Sequence, residues 1–252
     1  MAHAKAQPAN FAVRLAPILV LIVLIAPVGL GLALTLLPAF GYLPVLGGEH
    51  FTLAYFTQLF AVPGLAHSVT VSLMAGLLTP LCALSLVLLF LAGAAGTRLE
   101  RWMRRLVAPL LAIPHAAAAF GLAFLIAPSG LFMRLISPEL NGLNSPPDVL
   151  IVNDYWGLTM SAGLIIKEIP FLLLMALAAL PQIEPEKRVA IARSLGYRPC
   201  RAWLMTVVPA LYPLIRLPVY AVIAFASATV DVSLILGPSL PYTLSVMVLQ
   251  WF

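Results

Sequence analysis

Lys167 and Glu168 stand side by side in the middle of an otherwise apolar stretch, "GLIIKEIPFLLLMALAAL". Charged side chains inside a long apolar run are costly in lipid and are functional candidates by default. Neighbouring residues of a helix point about 100° apart, so Lys167 and Glu168 do not pair with each other. Each needs a partner on another helix or a water-filled cavity, and Pro170 loosens the helix beside them. Two roles fit: a place on a translocation path, or a buried ion network that only fixes helix packing. Asp231, near the outer end of a later run, is a further path candidate, although a helix end reaches water cheaply. His115 follows Pro114 and has no Cys or acidic neighbour in sequence, so it reads as a packing or hydrogen-bonding residue. No metal and no cofactor site is expected.

The second unusual stretch is "VAIARSLGYRPCRAWLMTVVP", residues 189 to 209. Val189, Ala192 and Leu195 recur at helical spacing. Gly196 then suits the left-handed backbone of a helix C-terminal cap. Pro199 suits the first turn of a new helix, where its missing N–H costs nothing. The pattern predicts two short helices meeting at Gly196. Such a knob could be gripped by a partner, or it could be an amphipathic surface element with its basic residues at lipid headgroups.

The elements that position these residues follow from composition. Of 252 residues, 62% are hydrophobic and 9% charged, against about 25% charged in soluble domains. A spanning helix needs about 20 mostly apolar residues. Five runs qualify: Leu15 to Leu37, Val69 to Ala92, Leu106 to Ile126, Leu158 to Leu180 and Leu214 to Val232. The fold class is therefore all-α, a polytopic membrane helix bundle. A run starting at Thr243 looks like the beginning of a sixth helix, as in a fragment or one half of a duplicated protein.

The net charge of +5 does not imply nucleic acid, because the basic residues cluster between apolar runs. Lys5 and Arg14 precede the first run, and Arg98, Arg101, Arg104 and Arg105 follow the second. Lys187, Arg188, Arg193, Arg198 and Arg201 follow the fourth. The opposite loops carry Arg134 against Glu49, Glu139, Asp148 and Asp154. By the excess of Lys and Arg on the cytoplasmic side, the N-terminus and residues 1–14 lie inside, as does the 182–209 segment. Tyr55, Phe56 and Phe60 suggest an interfacial helix in the first outer loop. Cys82 and Cys200 should sit at different depths as free thiols.

The stretch "AIARSLGYRPCRAWLMTVVPALYPLI" resembles the EAA loop of inner-membrane permease subunits of binding-protein-dependent ABC importers. Ala192 matches the motif's second Ala, Gly196 its Gly, and Val208-Pro209 its later hydrophobic-Pro element. The motif's Glu and first Ala fall on Ala190 and Ile191, and Glu186, about one turn earlier, is the candidate substitute. The similarity covers residues 60 to 250. Stretches such as "IPHAAAAFGLAFLIAPSG" look most like the thiamine, iron, sulfate and polyamine group, some of whose members are two fused halves. The resemblance implies one transmembrane permease domain over residues 1–252 in the bacterial inner membrane. It implies that Glu186, Ala192, Gly196, Tyr197 and Pro209 couple to a separate cytoplasmic ATP-binding subunit. It also implies a periplasmic solute-binding protein and a second permease half or subunit as partners.

The chain itself is not expected to be an enzyme. A phosphate-binding loop needs Gly-Lys-Ser/Thr, and none of Lys5, Lys167 or Lys187 follows a glycine. An intramembrane serine protease would need a Gly-x-Ser-Gly element that "APSG" and "GPSL" both miss. The alternative is an ion-coupled secondary transporter using Lys167, Glu168 and Asp231, which leaves the Gly-centred loop unexplained. The topology is checked with single cysteines at Asn144 and Glu186 and a membrane-impermeant reagent. Asn144 should label from outside and Glu186 should not; equal labelling contradicts the assignment.

Overall fold

The structure, a computed structural model, describes residues 11–137, 142 and 144–251. Lys5, Glu139 and residues 1–10 of the expected tail lie outside the described residues. Contacts divide the chain into two compact units, up to Pro63 and from Gly64. Among the described residues every regular element is helical, and five helical stretches are long and apolar enough to cross a membrane. The protein is an all-α, multi-pass membrane protein.

The first unit contains α1 (Phe11–Ala39) and the short α2 (Ala54–Phe60). Every large apolar side chain from Ile18 to Leu37 is exposed. A helix of this length that is apolar on all sides is matched to hydrocarbon rather than water. The expected interfacial helix is α2, whose Phe56 packs on Phe40 with ring centroids 5.2 Å apart.

The second unit is built on α3 (Leu65–Ala94), α7 (Leu158–Ala179) and α10 (Val208–Ala228), which pack on one another. Their shared core includes Ala83, Val87, Leu172, Leu173, Leu211 and Ile215, each at most 1% exposed. Close approach of α3 and α10 rests on Gly76, where an added Cβ would lie 2.8 Å from the Ser227 Cβ. The start of α7 is capped by Asp154, whose two carboxylate oxygens accept the backbone N–H groups of Leu158 and Thr159 at 2.8 Å. A carboxylate at a helix N-terminus satisfies orphan donors and complements the dipole.

Two expected spans are corrected. The run Leu106 to Ile126 is not one helix: α4 (Arg98–Ala112) and α5 (His115–Ile126) are separate, followed by the short α6 (Leu131–Ile136). Pro114 is the cause. It disfavours helical backbone at the residue before it, and Ile113 accordingly adopts φ −72°, ψ 123°. The helix also starts well before Leu106, because Thr97 caps it by accepting from the Glu100 N–H. The fifth span runs Val208–Ala228 rather than Leu214 to Val232, and Asp231 opens a separate helix, α11 (Asp231–Leu236). At the break the Thr229 carbonyl accepts from the hydroxyls of Ser233 and Ser245, both at 2.7 Å. Hydroxyl side chains that claim a backbone carbonyl compete with helix continuation there.

Between α7 and α10 lie α8 (Pro185–Ser194) and α9 (Pro199–Thr206), and the chain continues into α12 (Leu244–Trp251) where a further helix was expected. Replacing Gly76 by Leu should destabilise the second unit by about 1–3 kcal/mol through overpacking. A fall in thermal unfolding temperature in detergent checks this, and an unchanged temperature contradicts the close approach.

Candidate functional sites at the α4–α5 break and the helix pair after α7

The break between α4 and α5 faces the middle of α7. In an unbroken helix the Leu110 carbonyl would accept from the N–H of residue 114, but that residue is proline and has none. Lys167 supplies the missing donor: its Nζ donates to the Leu110 carbonyl at 3.2 Å and to the Leu111 carbonyl at 3.4 Å. Glu168 turns to the other side of the break, where its Oε1 lies 3.0 Å from His115 Nε2. His115 is the first residue of α5, so Glu168 meets that helix through the side chain of its first residue.

These placements match the electrostatics of helix ends. A helix C-terminus carries partial negative charge and favours a cation, while an N-terminus carries partial positive charge and favours an anion. Lys167 is at the C-terminal end of α4 and Glu168 at the N-terminal end of α5. Two consecutive residues of α7 therefore serve the two ends of one interruption. Both are buried, at 7% and 5% exposure.

A cavity of about 250 Å³ adjoins them, bordered by Leu111, His115, Phe171, Val222 and Phe225. Its exposed lining is almost wholly apolar, because the charged atoms are already engaged. The His115 ring rests on Phe225 of α10, centroids 4.6 Å apart. Asp231 is not brought to this cavity. It is exposed at the start of α11, where its Oδ1 accepts from the Thr229 hydroxyl at 2.8 Å. The contribution of His115 was not visible in sequence as a carboxylate partner, because Glu168 is 53 residues away along the chain. Among the described residues no three His, Cys, Asp or Glu side chains converge as a metal would require.

The helix pair after α7 has the expected form. α8 ends in a turn whose Gly196 has φ +89°, and the Tyr197 N–H returns to the Ala192 carbonyl at 3.3 Å. Pro199 opens α9 and Pro209 lies in the first turn of α10. Ala192 is buried, whereas Ile191, Leu195 and Tyr197 are 66%, 73% and 38% exposed. Leu195 thus does not continue the inward face of Val189 and Ala192. It projects with Ile191 near the turn. Glu184 precedes α8 at φ +45°, a left-handed conformation that costs a non-glycine residue on the order of 1–2 kcal/mol. Glu186 borders a groove of about 660 Å³ that also receives Glu100, Arg104, Arg193 and Trp203.

No family model matches the chain. It is similar to the inner membrane ABC transporter permease protein YnjC of Escherichia coli (strain K12), 31% identical over 206 residues. The match takes in 79% of this chain and 37% of that protein, so the chain spans less than half the length of the relative.

The dipole match predicts that charge order matters. Exchanging the pair, Lys167→Glu with Glu168→Lys, should lower the unfolding temperature in detergent more than neutralising it with Lys167→Met and Glu168→Gln. The exchange sets a carboxylate against the α4 carbonyls, and mispaired buried charge costs roughly 3–5 kcal/mol. Equal unfolding temperatures would mean that the two charges do not read the helix ends.

Proposed function

We propose, starting from the chain's membership of the ABC transporter permease family, that it is the transmembrane permease subunit of an ATP-driven importer. In this reading ATP is hydrolysed in a separate cytoplasmic subunit, which seats on α8, the Gly196 turn and α9. A solute-binding protein delivers solute on the outer face, and a second permease half or subunit completes the path. The N-terminus lies on the cytoplasmic side, on the strength of the Lys and Arg distribution.

The observation that carries the coupling role is the shape and chemistry of the helix pair. Ile191, Leu195 and Tyr197 expose apolar surface around a turn held by a left-handed glycine. Such surface beyond a spanning helix favours a protein socket over water. Ala192 and Trp203 are buried beneath it and hold the two short helices together. Glu186 reaches the neighbouring groove, which suits it to stand in for the acidic residue missing at Ala190. Pro209 fixes where the pair returns to the fifth span.

Lys167 and Glu168 are assigned to the wall of the solute path beside the cavity, with Asp231 nearer its outer end. Their bonds across the α4–α5 break support a path whose polar atoms are held in place rather than offered freely to solute.

Replacing Gly196 by Val tests the coupling role. An added Cβ would meet no atom within 4 Å, so the effect comes from φ +89° alone. The left-handed penalty of about 1–2 kcal/mol, or more for a β-branched residue, should weaken binding of the ATP-binding subunit by roughly tenfold. Pull-down in detergent reads this, with abundance of the membrane part unchanged. Undiminished binding would leave the pair as a membrane-surface element.

A further inference from the structure

We infer that the outer face of α4 is a binding surface for anionic phospholipid headgroups, distinct from the coupling segment and from the cavity. The face is defined by Arg98, Arg101, Trp102 and Arg105. At 100° per residue these four fall within about 100° of the helix circumference. All four are exposed, Trp102 at 57%. On the opposite side Val107 is buried against the core, and α4 packs on α7.

The three arginines are chemically available. Arg104, on the flank, is held by Glu100 at 2.6 Å. Arg98, Arg101 and Arg105 have no carboxylate within ion-pair distance among the described residues. A cationic face without internal partners calls for anions from outside, and guanidinium groups bind phosphate oxygens in pairs.

The distribution along the axis selects a membrane over a protein. α4 begins at the turn that closes α3, a span, and runs from there to the level of Lys167 in the middle of α7. Its exposed face is basic and aromatic from Arg98 to Arg105, then continues through the uncharged Ala108, Pro109 and Ala112. Arg98 to Arg105 rise about 10 Å, comparable to a headgroup layer of roughly 5–8 Å plus the reach of the side chains. A face that is charged over its first half, with a tryptophan among the arginines, and uncharged over its second follows the polarity of a bilayer leaflet crossed from its surface inward. Trp102 sits where tryptophan favours the interface, and Leu99, 53% exposed, flanks it. An acidic protein surface would complement the arginines but would not require the charge to end at mid-helix.

The test uses the full chain in nanodiscs of phosphatidylcholine containing a minor fraction of either brominated phosphatidylglycerol or brominated phosphatidylcholine. Bromines quench tryptophan on contact. The Trp102 signal is taken as the difference between the parent chain and Trp102→Phe, so the other tryptophans remain in place. Each basic residue near an anionic surface strengthens attraction by about fivefold. Brominated phosphatidylglycerol should therefore quench Trp102 several-fold more per mole than brominated phosphatidylcholine. The triple variant Arg98→Gln, Arg101→Gln, Arg105→Gln should remove that difference while keeping the unfolding temperature, whereas Arg104→Gln should keep the difference. Equal quenching by both lipids in the parent chain overturns the inference. So does a Trp102 unquenched by either lipid, which would point to a protein covering the face instead.

Discussion

The arrangement of the second unit turns on one constraint: helical backbone breaks at Pro114, between α4 and the span that starts at His115, and the helix ends left there must be satisfied. Irregular backbone at membrane depth persists only where protein or a wet cavity covers it. Lys167 provides donors to the carbonyls that the proline orphans, and Glu168 meets the first residue of the following helix. Because both belong to α7, the most buried of the five spans, that helix sets the register of α4 and α5 on either side of the break. The cavity beside them is lined by residues from both sides of the break, Leu111 of α4 and His115 of α5.

The same helix delivers the proposed coupling segment. α7 passes through a short 3-10 turn, Leu180–Ile183, and reverses at Glu184 in a left-handed conformation before α8 begins. A non-glycine residue holds such a conformation only where its surroundings determine it. Here the Glu184 carboxylate accepts from Lys187 at 2.7 Å, and the Ile183 carbonyl accepts from Arg188 at 2.8 Å. Both bonds tighten the joint. α4 lends Glu100 and Arg104 to the groove beside α8 and ends at Lys167. One fifteen-residue helix thus borders both the segment proposed to meet the ATP-binding subunit and the cavity proposed to lie on the solute path.

Much of this was legible from residue order. Apolar length gave the spans from α1, α3 and α7 to within a few residues, because hydrocarbon thickness imposes a single scale. The Gly196 and Pro199 pair marked the two short helices, since each residue restricts the backbone by itself. The interruption at Pro114 was not legible: spans tolerate proline when neighbours re-satisfy the backbone, and the neighbour here is Lys167, more than fifty residues further along the chain. Asp231 was assigned to the end of a span because apolar residues flank it. The hydroxyls that close on Thr229, from Ser233 and Ser245, belong to tertiary packing. The partner of Glu168 was hidden for the same reason, since no local pattern connects it to His115.

The most direct measurement of the central claim is amide hydrogen exchange of the permease in detergent, with and without the ATP-binding subunit. The account predicts slower exchange in residues 186–205, centred on the turn at Gly196, with α1 unaffected. Unchanged exchange across 186–205 in a complex that demonstrably forms would contradict it.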